Sequence, residues 1–252
     1  HWISWDTSNF IFKELHWGNG VIFFFVLSGF LITEILLKQK ELIESGKSSF
    51  GKVLKNFYAR RSLRIFPLYY ILIFFLYYIN YKQTRELFPH LVTYTTNVLE
   101  ASTNKYIDEF NHFWSLAVEE QFYIFWPLII LLLPSKHLLK FIVAAIIFSL
   151  VSRLGYKFLM PDRWLAANFL THNVMFALAT GALLAYIKNK KEILFSKIST
   201  SYLLGPIVFS AYITLFIFIV HKNPSSKFNF IFDEFLFSIL SALVIARSVG
   251  SG

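Results

Sequence analysis

Apolar runs long enough to cross a lipid bilayer constrain this chain more than any other feature. Several of them reach the roughly 20 residues that an α-helix needs to span a bilayer. The runs cover residues 18–37, 65–81, 113–133, 139–158, 173–187, 202–220 and 230–246. Only 15% of the residues are charged, against about 25% in a typical soluble domain. The sequence therefore predicts an all-α polytopic transmembrane helix bundle with about seven spans.

The segments between these runs alternate in charge. The basic segments are 38–64, 134–140, 188–201 and the end from 247, whereas 82–111, 159–172 and 221–229 are mixed or weakly charged. Short cytoplasmic loops of membrane proteins are enriched in Lys and Arg. The alternation therefore supports seven spans, with the basic segments in the cytoplasm and His112 on the outer side.

The net charge of +9 fits this orientation and contact with anionic headgroups of the bilayer. We expect no nucleic-acid partner, because the basic residues lie in short segments between spans. The sequence has no cysteine, so it has no thiol nucleophile. No spacing of His and acidic residues resembles a metal site, so no metal is expected.

Both ends of the sequence resemble cut ends. No Met and no basic leader precede His1, and the last apolar run stops just before Gly252. We therefore expect residues 1–252 to be a single membrane domain, truncated at both ends, from a longer protein.

The stretch HFWSLAVEEQFYIFWP (His112–Pro127) places two adjacent carboxylates, Glu119 and Glu120, where an apolar run begins. Insertion scales penalise a charge at the centre of a membrane helix by about 3 kcal/mol. An acid in a first helical turn favours the helix dipole, which would explain one exposed acid. Two acids entering an apolar span are less easily explained in this way, and the pattern favours a functional site.

In a helix, several polar and aromatic residues of this stretch would share one face. They are His112, Ser115, Glu119, Tyr123 and Trp126. The sequence therefore predicts a polar and aromatic strip that runs into the membrane.

Clustered arginines lie just before the second apolar run, in FYARRSLRIFPLYY (Phe57–Tyr70). Arg60, Arg61 and Arg64 are neighbours at helical spacing, and clustered guanidiniums bind phosphates bidentately. They would suit a phosphorylated cytosolic donor. The spacing alone favours a topology anchor that contacts lipid headgroups.

Two further features have both a structural and a functional interpretation. In GVIFFFVLSGFLIT (Gly20–Thr33), Ser28 and Gly29 interrupt a bulky aromatic run, and small residues allow close helix packing. His1 and His16 flank the N-terminal segment. Either histidine could act as a general base if it faced the acid pair.

Taken in this order, the Gly20–Thr33, Phe57–Tyr70 and His112–Pro127 stretches resemble the acyltransferase 3 family of integral-membrane O-acyltransferases. NVMFALATGALLAY (Asn173–Tyr186) is a weaker fourth match. The resemblance implies transfer of an acyl group, most often acetyl, from cytosolic acyl-CoA to a hydroxyl of an extracytoplasmic glycan or lipid-linked saccharide. Family members have about ten spans, and the resemblance implies a multi-pass protein of the bacterial inner membrane that modifies cell-envelope polysaccharide.

The resemblance also implies roles for particular residues. The family's proposed base is a histidine upstream of the first matching stretch, which corresponds to His1 by its distance, whereas His16 lies too close to Gly20. The family's Arg-x-x-Arg pair corresponds to Arg61 and Arg64. We expect the catalytic residues to be His1, Glu119 and Glu120, the donor to bind at Arg60, Arg61 and Arg64, and the substrate pocket to include His112, Trp114, Ser115, Ser28 and Tyr123.

Two other classes of protein compete with an enzyme. A transporter or channel could use the intramembrane Glu119 and Glu120, because acids also line ion pathways. The sequence has no internal repeat and few polar residues in the other runs, which counts against this class. A purely structural membrane scaffold would leave the acid pair unexplained.

Overall fold

The computed structural model describes residues 18–110, 112–222 and 227–250. Within these three ranges the chain forms helices and contains no β-strand. The helices are α1 (Gly18–Glu44), α2 (Phe50–Tyr78), α3 (Thr84–Val92), α4 (Thr96–Thr103), α5 (Phe113–Leu132), α6 (Ser135–Leu159), α7 (Trp164–Phe169), α8 (Thr171–Lys190), α9 (Glu192–Thr200), α10 (Leu204–Lys222) and α11 (Lys227–Gly250), with a 3-10 turn over Asp108–Phe110. The predicted all-α class is confirmed.

Within the described ranges, four helical segments are long and apolar enough to cross a membrane. They are Asn19–Glu44, Phe113–Leu132, Ser135–Leu159 and Trp164–Lys190. A fifth crossing is formed if the bent pair Glu192–Thr200 and Leu204–Thr214, which meet at 67°, counts as one span. The four segments coincide with the first, third, fourth and fifth predicted spans.

The second predicted span differs from the structure in its extent. Helix α2 begins at Phe50, so it includes much of the basic segment as well as the apolar run. Its apolar part runs only from Arg64 to the helix end at Tyr78. This part is shorter than a helix that spans a bilayer. The arginine cluster is therefore part of a continuous helix rather than of a loop beside one.

The basic segments meet at one end of the bundle. Lys190 forms an ion pair with Glu41 at 2.6 Å, and the Ser135 hydroxyl donates to Glu44 at 2.7 Å. We call this the basic end. The weakly charged connections meet at the opposite end, where the Asn97 amide donates to the backbone oxygen of Phe169 at 3.1 Å. This arrangement agrees with the alternation of charge along the sequence.

Lys40 determines how α5 is aligned with α1. The side chain is buried, and its ammonium group donates to the backbone oxygens of Ile130, at 2.8 Å, and of Leu133. A cation at a helix C-terminus satisfies carbonyls that have no partner within the helix. This contact fixes the depth of α5 against α1, and therefore the level at which Glu119 meets α1.

Two glycines allow the backbones of α1 and α8 to touch. A Cβ atom added to Gly29 would lie 1.9 Å from the backbone oxygen of Leu178, and one added to Gly181 would lie 1.9 Å from that of Val26. Only residues without a side chain allow so close a crossing. The packing interpretation of Gly29 is confirmed, and this crossing sets the position of the neighbouring Ser28.

Gln121 links α5 to residues at the end of the bundle opposite the basic end. Its amide nitrogen donates to the backbone oxygen of Tyr94 at 2.8 Å and to the Asn97 side chain at 2.9 Å. The Thr171 hydroxyl donates to the amide oxygen of Gln121. Because both polar atoms of its amide are bonded, Gln121 positions α5 against α4 and α8.

Candidate functional site

Glu119 accepts the last hydrogen bond of a chain of buried hydroxyl groups. Its side chain is 3% exposed, and Oε1 accepts a hydrogen bond from the Ser28 hydroxyl at 2.5 Å. The Tyr123 hydroxyl donates in turn to Ser28 Oγ at 3.1 Å. Glu119 and Tyr123 are one helical turn apart on α5, as the predicted strip requires, and Ser28 reaches them from α1.

Arg61 lies over the aromatic ring of Tyr123. The guanidinium carbon lies 3.5 Å from the centre of the Tyr123 ring, which is a close cation–π contact. Its positive charge acts on both Glu119 and Glu120. Arg61 Nε is buried and makes no hydrogen bond within the part of the chain that the structure describes. This N–H is therefore a donor without a hydrogen-bond partner among the described residues.

The arginine lies deeper in the bundle than its place in the sequence indicates. The Tyr58 hydroxyl of α2 donates to the backbone oxygen of Ile124 at 2.7 Å, and Arg61 lies against Tyr123, near the middle of α5. The sequence placed the cluster where the cytoplasm meets the second span. The long α2 instead runs alongside α5, and this brings Arg61 to the acid pair.

A cavity of about 510 Å³ opens beside Arg61. Helix α2 contributes three guanidiniums to its wall, and both α1 and α2 contribute apolar side chains. The lining residues are Ile32, Ile35, Phe57, Arg60, Arg61, Leu63 and Arg64. Arg60 and Arg64 are exposed and Arg61 is half-buried. Such a wall suits a ligand with phosphate groups and an apolar part.

The two adjacent acids face different helices. Glu119 faces α1 through Ser28, whereas Glu120 acts electrostatically on Tyr69 and Tyr70 of α2. Glu120 is also buried, and among the described residues its Oε1 has no hydrogen-bond partner. The structure thus separates the pair, since successive residues of a helix point about 100° apart, and Glu119 alone belongs to the hydroxyl chain.

His112 and Ser115 do not join this group. His112 is exposed and precedes the first residue of α5, and its backbone oxygen accepts the Ser115 hydroxyl at 3.0 Å. Two helical turns correspond to about 10 Å along a helix axis, so His112 lies well above Glu119. Sequence periodicity placed these residues on one face, and the offset of seven residues also implies this separation along the helix axis.

Trp114 is part of an aromatic stack. Its ring lies flat on Phe169, with centroids 4.3 Å apart and planes within 9°, and meets Phe25 edge-on at 5.9 Å. Trp114 therefore lies between Phe169, at the end of the bundle opposite the basic end, and the turn of α1 that contains Ser28.

His1 and His16 lie outside the described residues.

A buried ion pair that the sequence did not predict joins α6 to α11. Arg153 of α6 contacts Glu234 of α11, and it also donates to Asn168 at 2.9 Å. The signal was present, because both charged residues interrupt apolar runs. Among the described residues, no cluster of three or more potential His or acidic ligands could hold a metal ion.

Glu100 is a buried acid outside the membrane-spanning segments. Its Oε1 accepts the backbone N–H of Ile107 at 2.9 Å. Burial raises the pKa of Glu100 from its ordinary 4.5 to about 7. In contrast, the hydrogen bond from Lys82, at 2.9 Å, lowers the pKa of the exposed Glu109. Deprotonation of Glu100 therefore destabilises the folded state, whereas deprotonation of Glu109 stabilises it.

The stability of the protein is expected to fall as pH rises from 4.5 through about 7 because of Glu100. In this range the folded state holds the Glu100 proton more tightly than the unfolded chain does, so each proton released opposes folding. We compare the melting temperatures of wild type and Glu100→Gln in detergent from pH 4.5 to 8. The two should lie close together at pH 4.5, and the melting temperature of wild type should fall below that of Glu100→Gln as pH rises. The Glu109→Gln curve should run parallel to wild type in this range. Parallel curves for Glu100→Gln would contradict the assignment.

Comparisons with known proteins agree on one family. A family model for an acyltransferase domain matches residues 4–249. The peptidoglycan O-acetyltransferase OatA of Listeria monocytogenes is 34% identical over 167 residues, which cover 59% of this chain and 25% of the relative. A Staphylococcus aureus (strain COL) protein, provisionally named as an O-acetyltransferase, is 27% identical over an alignment of 271 positions, which covers 98% of this chain and 41% of the relative.

A third relative, an uncharacterised protein of Haemophilus influenzae, is 31% identical over 163 residues, which cover 58% of this chain and 60% of the relative. The chain thus matches between 25% and 60% of the length of these relatives. No solved structure matches it.

Proposed function

The chain belongs to the acyltransferase 3 family, and from this we propose that it is a membrane O-acyltransferase with acyl-CoA, in the simplest case acetyl-CoA, as the donor. The acceptor is a hydroxyl group of a glycan or a lipid-linked saccharide of the cell envelope. The Listeria relative, whose name specifies peptidoglycan, supports an acceptor of this class. We further propose seven spans, within a domain of about ten, in a bacterial inner membrane.

One observation supports this proposal most strongly. Arg61 lines the cavity and also covers Tyr123, which connects through Ser28 to Glu119. A donor whose phosphates bind Arg60, Arg61 and Arg64 would therefore lie next to a buried carboxylate. Guanidiniums form bidentate contacts with phosphates, and the apolar wall suits the pantetheine arm of CoA.

In the proposed reaction, His1 is the general base. It removes the proton of the acceptor hydroxyl, whose oxygen attacks the thioester carbonyl carbon. The carbon–sulfur bond then breaks, an ester remains on the acceptor, and the thiolate of CoA takes up the proton. Glu119 would stabilise the imidazolium that forms on His1. The Ser28 hydroxyl, to which Tyr123 donates, would hold the Glu119 carboxylate in place for this role.

The test is binding of acetyl-CoA to the full-length protein in nanodiscs. Replacing both Arg61 and Arg64 with Gln should raise the Kd by at least about 100-fold, because each lost charge-assisted hydrogen bond accounts for about 1.5–3 kcal/mol. Binding of S-acetyl-pantetheine, which lacks the nucleotide and its phosphates, should not change. Arg85, exposed on α3 against Tyr77 and outside the cavity, provides the control variant Arg85→Gln.

Unchanged acetyl-CoA affinity in the Arg61 and Arg64 double variant would remove the donor site from this cavity. In the wild type, release of free CoA should require a saccharide acceptor. Absence of both donor binding and CoA release would favour the transporter class, which an uptake assay in liposomes would then test.

A further inference from the structure

Two exposed aromatic rings lie together at the end of the bundle opposite the basic loops. Tyr106 is 46% exposed and Trp164 is 44% exposed. Their rings meet edge-to-face, with centroids 5.2 Å apart and planes at 71°. Phe169 lies beneath Tyr106 at 5.8 Å and is buried. We call Tyr106 and Trp164 the outer ring pair.

Hydrogen bonds join the two connections that contain the outer ring pair. The side chain of Asn104, a residue in the left-handed region at φ +52°, donates to the backbone oxygen of Asp162 at 2.7 Å. Its amide oxygen accepts the backbone N–H of Leu165 at 3.2 Å. The buried Glu100 accepts the N–H of Ile107, the residue after Tyr106. The rings are therefore held in place before any ligand arrives, which lowers the entropy cost of binding.

Aromatic contacts continue from the outer ring pair into the bundle. Phe169 lies flat against Trp114, which meets Phe25 edge-on. Phe25 and Ser28 are three residues apart on α1 and so lie on the same face. The stack thus leads from the surface to the turn that holds the Ser28 and Glu119 contact.

Trp and Tyr also occur as isolated interfacial anchors in membrane proteins. Tyr78 at the end of α2 fits that description, since it is 83% exposed and has no ring contact among the described residues. The outer ring pair differs, because its two rings are in contact with each other. They are bordered by exposed charged side chains of Lys105, Asp162 and Arg163.

We propose that the outer ring pair is a saccharide subsite, which binds one sugar ring of the acceptor while the neighbouring sugar extends toward Glu119. A pyranose has an apolar face of C–H groups and a rim of hydroxyls. The face packs on one of the two rings, as apolar surface does on aromatic rings, while the edge of the sugar contacts the other ring, whose plane lies at 71° to the first. The rim hydroxyls bind the bordering charged groups. The assignment of this sugar to the acceptor rests on the proposed function, whereas saccharide binding itself does not.

The first test measures binding without any donor. A soluble cell-wall glycan fragment is titrated into the full-length protein in nanodiscs by calorimetry. Trp164→Ala and Tyr106→Ala should each raise the Kd about 10-fold, since one aromatic contact supplies about 0.5–1.5 kcal/mol beyond the area it buries. Trp164→Phe, which keeps an aromatic face, should retain most of the affinity and guards against loss of folding. The control Tyr78→Ala should bind as the wild type does.

The second test measures transfer. Trp164→Ala should raise the KM for the glycan fragment about 10-fold with little change in kcat or in the Kd for acetyl-CoA. Wild-type affinity in both alanine variants would overturn the proposal, as would an equal loss in Tyr78→Ala, which would indicate an interfacial anchor. Glycan binding that depends on Trp164, in a protein that releases no CoA, would support the subsite and refute the proposed transferase.

Discussion

Replacing Glu119 with Gln is expected to lower the rate of acyl transfer by about 100-fold to 10,000-fold. General-base catalysis contributes a factor in this range, and the base would lose the charge that stabilises its protonated form. Glutamine has the same shape, and its amide oxygen still accepts the Ser28 hydroxyl that bonds Glu119 at 2.5 Å. The substitution therefore removes the charge and keeps the packing. The measurement is acceptor-dependent release of CoA by the purified protein, together with its melting temperature.

The pattern of effects distinguishes catalysis from structure. In Glu119→Gln the Kd for acetyl-CoA should stay close to that of wild type, because the cavity wall does not include Glu119. Glu44, which bonds Ser135 at the basic end, supplies the matched control, and Glu44→Gln should transfer at about the wild-type rate. A Glu119→Gln variant with full activity would show that the hydroxyl chain has no part in the reaction.

Replacing Gly29 with Ala is expected to destabilise the protein by about 3 kcal/mol, at the upper end of the usual cost of overpacking. The added Cβ would lie 1.9 Å from the backbone oxygen of Leu178. A backbone oxygen cannot change rotamer to avoid the clash as a flexible side chain can, so α1 and α8 must move apart. Because Ser28 precedes Gly29, the separation should also weaken its bond to Glu119 and reduce transfer. Thermal unfolding in detergent measures the first effect.

Two further glycines make this prediction specific. Gly181→Ala meets the backbone oxygen of Val26 at 1.9 Å and should give a similar loss. Gly155 lies inside α6, and a Cβ atom added there meets nothing within 4 Å. Gly155→Ala should raise stability by about 1 kcal/mol, because alanine favours a helix over glycine. If Gly29→Ala and Gly155→Ala shifted the melting temperature equally, helix propensity and not the crossing would be responsible.

Local patterns predicted the helices well and the site only in part. Length and hydropathy indicated the first, third, fourth and fifth spans, because these properties belong to single segments. The pairing of Glu119 with Tyr123 followed from helical periodicity. The same periodicity could not indicate that His112 is the exposed N-cap of α5, because element boundaries are the part of a fold that a sequence predicts least well.

Contacts between distant segments could not be derived in this way. Nothing in the spacing of Ser28 and Glu119 shows that the two side chains meet, or that Lys40 caps α5. Such contacts depend on how the helices cross, and that depends on the Gly29 and Gly181 contacts. The outer ring pair was missed for the same reason, since Tyr106 and Trp164 lie in separate connections.

The amino-acid sequence alone indicated an all-helical membrane protein, the acids Glu119 and Glu120 where an apolar run begins, the arginine cluster, and the family to which the chain belongs. Segment composition and short motifs suffice for these conclusions, because a bilayer imposes its length and polarity on each helix separately. The tertiary structure decided that Arg61 lies beside Tyr123 at mid-depth and that Glu119, not Glu120, bonds Ser28. Those contacts arise from the close approach of helix backbones, which depends on the shapes of several helices at once.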